Sequence, residues 1–325
     1  MPFSFCRSRR AACAAALLFA LPAAFAWTTK PVKLLVPAPA GGTMDVVARL
    51  VADQLAQELG QPVVVDNKPG AGGAIAVQAL LAAPPDGQTL MVTASNVLTE
   101  IPHVMKTGFD PLNDVKPVAV VARASMVLVG GPDVPAKDFK SLVAYLKANP
   151  GKMGFASYSA GTSSHYAGMI LNAKAGLDLQ HVPFQGSPPA LTQVMGGQIP
   201  IMFDGIVTSK AMVAAGKLQA YGVAAKTRSQ HLPNVPTFAE LGLPELEVSN
   251  WLGVVASAKL PPGLTDKIHD VVVKAAQQPR LRDRLVAAGF ELPGEQGTQM
   301  LGRDLKADFE RNAAIVKTYG IQLNP

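Results

Sequence analysis

Cysteine is almost missing from this chain. Its 325 residues hold two, Cys6 and Cys13, and both lie in a leading segment that reads as an export signal. Arg7, Arg9 and Arg10 give that segment a basic start, and residues 11–25 are apolar. Ala24-Phe25-Ala26 is a small-x-small cleavage site before Trp27. The run is too short and too alanine-rich for a membrane span. Cys13 comes before the main apolar run and not at its end, which argues against a lipid anchor. The expectation is a signal peptide over residues 1–26 and an exported mature protein without disulfides, whose core must suffice alone. Ser8-Arg9-Arg10 also fits a twin-arginine route, but adjacent arginines are common in ordinary signals, so the general secretory route is expected.

Clustered charge is also lacking. The net charge of +6 includes the three signal arginines, and the remaining basic residues are scattered among acids. A nucleic-acid partner would need them gathered into a patch. No later segment is apolar for long enough to cross a bilayer. The five histidines are isolated, with no H-x-x-x-H pair, and the carboxylates show no calcium-loop spacing. The composition thus points to a soluble periplasmic protein with no nucleic acid, metal or cofactor among its expected partners.

What is present is an alternation of strand-like and helix-like segments. Residues 32–36 are apolar and bounded by prolines, Val47, Leu50, Val51, Leu55 and Leu59 recur at helical spacing, and Gly60 ends the run. The alternation continues, with short strands expected at 118–121 and 126–129 and helices at 139–148 and 162–175. Helices at 264–278, 281–288 and 297–319 close the chain. Ser187-Pro188 reads as a cap and first-turn pair. Such alternation implies an α/β fold with mostly parallel sheets flanked by helices. The helical tail has no sheet of its own and packs most economically on the first lobe. That places lobe 1 at 27–127 plus 252–325, lobe 2 at 128–251, and a hinge where the chain crosses twice.

Two strand-to-helix turns stand out. In residues 34–49, LLVPAPAGGTMDVVAR, Gly41 and Gly42 let the backbone approach a bound group just before a helix. Residues 157–165, SYSAGTSSH, repeat the arrangement. The first amides of a helix lack partners and its dipole is positive there, so each turn is an anion seat that needs no cation. Two such seats suggest a cleft for a small carboxylate. Asp45 reads first as a cap for nearby amides and Arg49 as the partner of an acid. Ser163 and Ser164 read as helix caps as readily as ligand contacts, and His165 serves equally as a ligand donor or a loop anchor.

The chain resembles the periplasmic receptors of tripartite tricarboxylate transport systems, the Bug-type proteins. The first-loop pattern P-x-x-x-G-G-x-x-D-x-x-A-R is met by Pro37, Gly41, Gly42, Asp45, Ala48 and Arg49. Asn67-Lys68-Pro69-Gly70-Ala71-Gly72-Gly73, Pro85-Asp86-Gly87, the turn at 183–186, Gly196-Gly197-Gln198, residues 232–237 and the Trp251 segment follow in order. The resemblance implies a two-lobed periplasmic-binding-protein fold, type II-like, that closes over a small carboxylate (an organic acid or acidic amino acid) and delivers it to a membrane permease. It implies a non-enzymatic receptor, expected as a monomer. Carried over, the carboxylate-holding loops supply Ala38, Ala40, Gly41, Gly42, Thr43 and Asp45, then Ser157, Ser159, Gly161, Thr162, Ser163 and His165. Phe184 and Asp204 are the next wall. Departures from the family pattern are Ala38 for a bulky aromatic, Ser159 for a glycine, Phe184-Gln185 for Tyr-Lys, and Met169 for a glutamate.

Two rival readings come from other classes. Ser157-Tyr158-Ser159-Ala160-Gly161 is nearly a nucleophile elbow, with His231 or His269 and Asp204 or Asp266 downstream for a serine hydrolase built on Ser159. Residues 70–75 imitate a dinucleotide loop, but Ile75 stands at the third glycine.

Overall fold

The computed structural model describes residues 27–294 and 297–322. The signal peptide expected at residues 1–26 lies outside them. The first lobe begins with β1 (Val32–Val36), whose Leu34 and Val36 are fully buried, followed by α1 (Thr43–Leu59). Val47, Val51 and Leu55 on α1 face the same core. Complete burial of each such side chain stabilises the fold by about 1.5–3 kcal/mol. Gly60 ends α1 in the left-handed conformation at φ 63°. Then come β2 (Val63–Asn67), a tight turn at 71–73, α2 (Ala74–Ala82), β3 (Thr89–Ala94) and the short α3 (Asn96–Thr99).

The sequence suggests two strands between residues 118 and 129, but the chain forms one, β4 (Val115–Gly130). Up to Ser125 it pairs with β9 (Ser249–Ser257); from Met126 onward it pairs with β7 (Ile201–Gly205) and β8 (Gln219–Ala224). The strand therefore runs from one lobe into the other. The second lobe adds α4 (Phe139–Lys147), β5 (Gly154–Ser157), α5 (Ser163–Ala175), β6 (Gln180–Pro183), α6 (Ser187–Met195) and α7 (Ile206–Ala214). Asp138 caps α4, its carboxylate accepting the Ser141 amide at 2.7 Å. Gly186, not Ser187, is the cap of α6, because Ser187 is already helical.

Strand order is β2-β1-β3-β9-β4-β7-β5-β6, with β8 on β4. The outer strands of each lobe are parallel, β1 with β2 and β3, β5 with β6 and β7. The pairs made by β4 and β9 are antiparallel. The sheets are accordingly mixed where mostly parallel ones were expected, because the strand that carries the chain out of the first lobe must lie beside the one that returns.

Helices α8 (Pro262–Gln277) and α9 (Pro279–Ala288) cover α1 on the first lobe. Helix α10 (Thr298–Tyr319) does not stay there. Leu305 packs in the first lobe, whereas Ile315 and Tyr319 reach the core of the second. No described helix is long and apolar enough to cross a membrane.

Candidate functional site: a cleft at two helix termini

Parallel strands in an α/β sheet place their following turns at one edge, beyond their carboxyl ends. Here β1 leads into α1, β5 into α5 and β7 into α7, and the three turns meet. Between the lobes they leave a cavity of ≈ 120 Å³. The lobes touch around it. A Cβ on Gly186 would sit 2.4 Å from Pro39 Cγ, and one on Gly205 would sit 2.8 Å from Thr43 Oγ1. Glycine at these two positions lets the second lobe approach the first this closely.

The first loop is pinned from beneath. Asp45 is buried; its Oδ2 accepts the Gly41 amide and Arg49 Nε, both at 2.9 Å, and its Oδ1 accepts Asn67 Nδ2 at 2.9 Å. Asn67 Nδ2 also donates to the Ala38 carbonyl at 2.9 Å. Burial opposes the Asp45 charge, but the bonds from Arg49, Gly41 and Asn67 outweigh it and hold the carboxyl below its usual pKa. The Gly41 amide is consumed by this lock, and Gly41 itself sits at φ 79°. Asp45 and Arg49 thus support the loop, as their spacing suggests.

What the loop leaves open is the start of α1. The first helical bond is from the Val46 amide to the Gly42 carbonyl, and no side chain caps the helix. Thr43, Met44 and Asp45 therefore present amides without helical acceptors. Of the first-loop candidates, Ala38, Gly42 and Thr43 line the cavity; Ala40, Gly41 and Asp45 do not.

The second seat is different. The Tyr166 amide bonds the Thr162 carbonyl, so α5 also begins without a side-chain cap. A carboxyl from the first lobe has moved onto it. Ser163 Oγ lies 2.6 and 2.8 Å from the two oxygens of Glu100, which follows α3. Ser163 Oγ accepts Asn250 Nδ2 at 2.8 Å, and Tyr166 donates its hydroxyl to the Glu100 carbonyl at 3.0 Å. Burial pushes the Glu100 carboxyl up to about 8, against the lowering effects of the Ser163 hydroxyl, Arg311 and the Ser163 amide. Ser159, Thr162 and Phe184 line the cavity, whereas Ser157, Gly161, Ser163, His165 and Asp204 do not.

Those five have other partners. Ser157 Oγ meets His181 Nε2 at 2.7 Å, and the rings of His181 and His165 stack with centroids 3.7 Å apart. His165 Nδ1 accepts the Gly161 amide at 3.1 Å, which makes His165 the loop's anchor. Burial drives the two rings down to about 4 and about 3, so both are neutral at physiological pH. Asp204, wholly buried, accepts Thr208 Oγ1 and Ser209 Oγ at 2.5 and 2.6 Å in the first turn of α7. No hydrolytic triad assembles among the described residues. Ser159 Oγ donates to the Ala160 carbonyl, His269 Nδ1 meets the Val118 carbonyl, and His231 Nε2 is buried without a partner. Nor do they hold a cluster of potential metal ligands.

Met44, Tyr158 and Gln185, inside the two loops and the 183–186 turn that the sequence singles out, also line the cavity, whereas Asn96, Val97, Met126, Asn250, Leu252 and the loop at 69–73 complete a wall that the sequence does not reveal. Ala71 in that loop is the single non-glycine with positive φ among the described residues, at 47°. No Lys, Arg, His, Asp or Glu belongs to the lining.

Comparison with known proteins agrees with this architecture. The family described as "Tripartite tricarboxylate transporter family receptor" matches residues 47–321. The chain belongs to this receptor family. It is 32% identical to protein BugT of Bordetella pertussis over 91% of each chain. Among solved structures it is similar to Rpa4515 of R. palustris with adipate, at 29% identity and a TM-score of 0.87 over 91% of this chain and 100% of that one. It is also similar to MatC of Rhodopseudomonas palustris with bound malate, at 31% identity and a TM-score of 0.83, covering 89% of this chain and 99% of that one. The two-lobed binding-protein fold and the Bug-type relationship both stand on these matches.

Proposed function

We propose that this receptor captures a small carboxylate between its lobes in the periplasm and offers the closed form, as a monomer, to a tripartite tricarboxylate-type permease. The observation that carries the reading is the uncapped start of α1, where Thr43 and Met44, whose amides lack helical acceptors, line an interlobe cavity. Adipate and malate in the two related structures support a carboxylate as the ligand class. The lobes are drawn at residues 27–127 plus 252–325 and 128–251; they hinge where β4 changes partners between Ser125 and Met126, two residues before the first boundary, and the end of α10 laps onto the second lobe. The carboxylate contacts are the Gly42–Thr43 turn and the next amides of α1, with Ser159, Thr162 and Phe184 across the cleft.

The magnitudes suffice without a cation. Hydrogen bonds to a charged group contribute about 1.5–3 kcal/mol each. A helix terminus adds about 0.3–1 kcal/mol, more when partly buried. Three such bonds, the terminus and the excluded water approach the roughly 8 kcal/mol of micromolar affinity. Thermal-shift screening and titration calorimetry on the mature protein, against mono-, di- and tricarboxylates and acidic amino acids, test the reading. Saturable stabilisation by carboxylates and none by their amides is expected. Absence of binding across the panel overturns it.

A further inference from the structure

The two strand-to-helix turns that look equivalent in the sequence are not equivalent in the fold. One helix start, that of α1, is free of side-chain caps and faces the cavity. The other, that of α5, is filled from the first lobe. Glu100 places both carboxyl oxygens on Ser163 Oγ, and neither Ser163 nor Ser164 reaches the cavity wall. The Tyr158 hydroxyl meets the same first turn, where the Ser164 amide interacts with it. The protein has supplied its own acid to the second anion seat.

Beyond the α1 start, the cavity meets a second negative charge with neutral side chains only, Asn96, Ser125, Gln185 and Asn250 among them. Its lining contains no cationic side chain, and Met44, Val97, Met126, Phe184 and Leu252 present apolar surface. A buried charge without a partner or an adequate set of donors is strongly disfavoured. Size narrows the choice further. The cavity of ≈ 120 Å³ is close to that of an engineered apolar cavity of about 150 Å³ that admits benzene.

We propose that the ligand is a monocarboxylate of about six carbons in all, its charged end on the α1 amides and its apolar body against the Met44, Met126, Phe184 and Leu252 wall. The proposal rests on the reading of the cleft as a carboxylate site and names the class within it. A dicarboxylate of equal length puts its second charge against methionine and phenylalanine, with the α5 terminus already taken by Glu100.

Matched pairs test this. Calorimetric titration of the mature protein with hexanoate and adipate compares ligands of one chain length that differ by a single carboxylate, and benzoate with terephthalate repeats the comparison on a ring. The monoacid is expected to bind about tenfold tighter or more in each pair. Gln185→Lys, which sets an ammonium on the cavity wall, is expected to narrow that gap by raising affinity for the diacid. Equal or tighter binding of adipate and terephthalate overturns the monocarboxylate assignment and leaves the carboxylate reading standing. Failure of all four acids to bind, with malate and citrate also inert, overturns the carboxylate reading and this assignment with it.

Discussion

Replacing Glu100 with glutamine removes an ionisation buried where the first lobe meets α5. Burial raises its pKa from 4.5 to about 8, with Ser163 and Arg311 lowering it and Asp308 raising it. The unfolded chain ionises this group near 4.5, whereas the folded protein keeps the proton until about 8. The stability contributed by the protonated carboxyl is therefore full below the unfolded pKa and is lost as pH rises through the folded one. Between the two values the loss is about 1.4 kcal/mol per pH unit, or roughly 3 kcal/mol from about pH 5.5 to about 7.5. Glutamine keeps the shape and the hydrogen bond to Ser163 but carries no proton to lose. His165 and His181, depressed to about 4 and about 3, make both proteins less stable as pH falls below the ordinary histidine range. That effect is common to both and cancels in the difference. Urea unfolding followed by tryptophan fluorescence should show Glu100→Gln gaining on the parent by roughly 3 kcal/mol across that pH span. A difference that stays constant with pH refutes the buried, protonated Glu100.

Asp45→Ala releases the Gly41 amide, Arg49 and Asn67 together, and should cost about 2 kcal/mol of stability by urea unfolding and weaken ligand binding by calorimetry. Gly205 has an ordinary backbone (φ −65°, ψ 137°), so Gly205→Ala should leave the ligand-free melting temperature nearly unchanged. Its new methyl meets Thr43 only when the lobes close, so affinity should fall by about tenfold or more in the same titration. A Thr43→Cys/Gly205→Cys pair should cross-link under mild oxidation, faster with ligand present. The built Cβ of Gly205 lies 3.9 Å from Thr43 Cβ, inside the range disulfides adopt, and the residues from 27 onward hold no other cysteine to interfere.

Much of the scaffold was legible because its signals are local. Gly60 and Gly289 end their helices with positive φ, as glycine after an amphipathic run implies, and Asp138, just ahead of the helix expected at 139–148, caps α4. The Asp45 lock was legible for the same reason, since Gly41 and Arg49 are each four residues away. Helix α7 went unseen because Gly205, Ile206 and Val207 give no polar cap and a β-branched start. The unity of β4 was obscured by the charged and small residues 122–125, which look like a break but mark the passage between lobes. Glu100 could not be found from sequence. Its partner Ser163 lies 63 residues away, and the two meet only once the lobes come together. The same holds for Val97, Met126 and Leu252, whose place in the wall exists only once the lobes form the cleft.

The central claim is that peptide amides at the start of α1, and no cationic side chain, hold the ligand carboxylate between the lobes. The most direct measurement is a crystal structure of the mature protein with a bound carboxylate from the calorimetric panel. The account predicts carboxylate oxygens about 3 Å from the Thr43 and Met44 amides, with no lysine or arginine in contact. A carboxylate paired to a basic side chain, or seated outside the interlobe cavity, contradicts it.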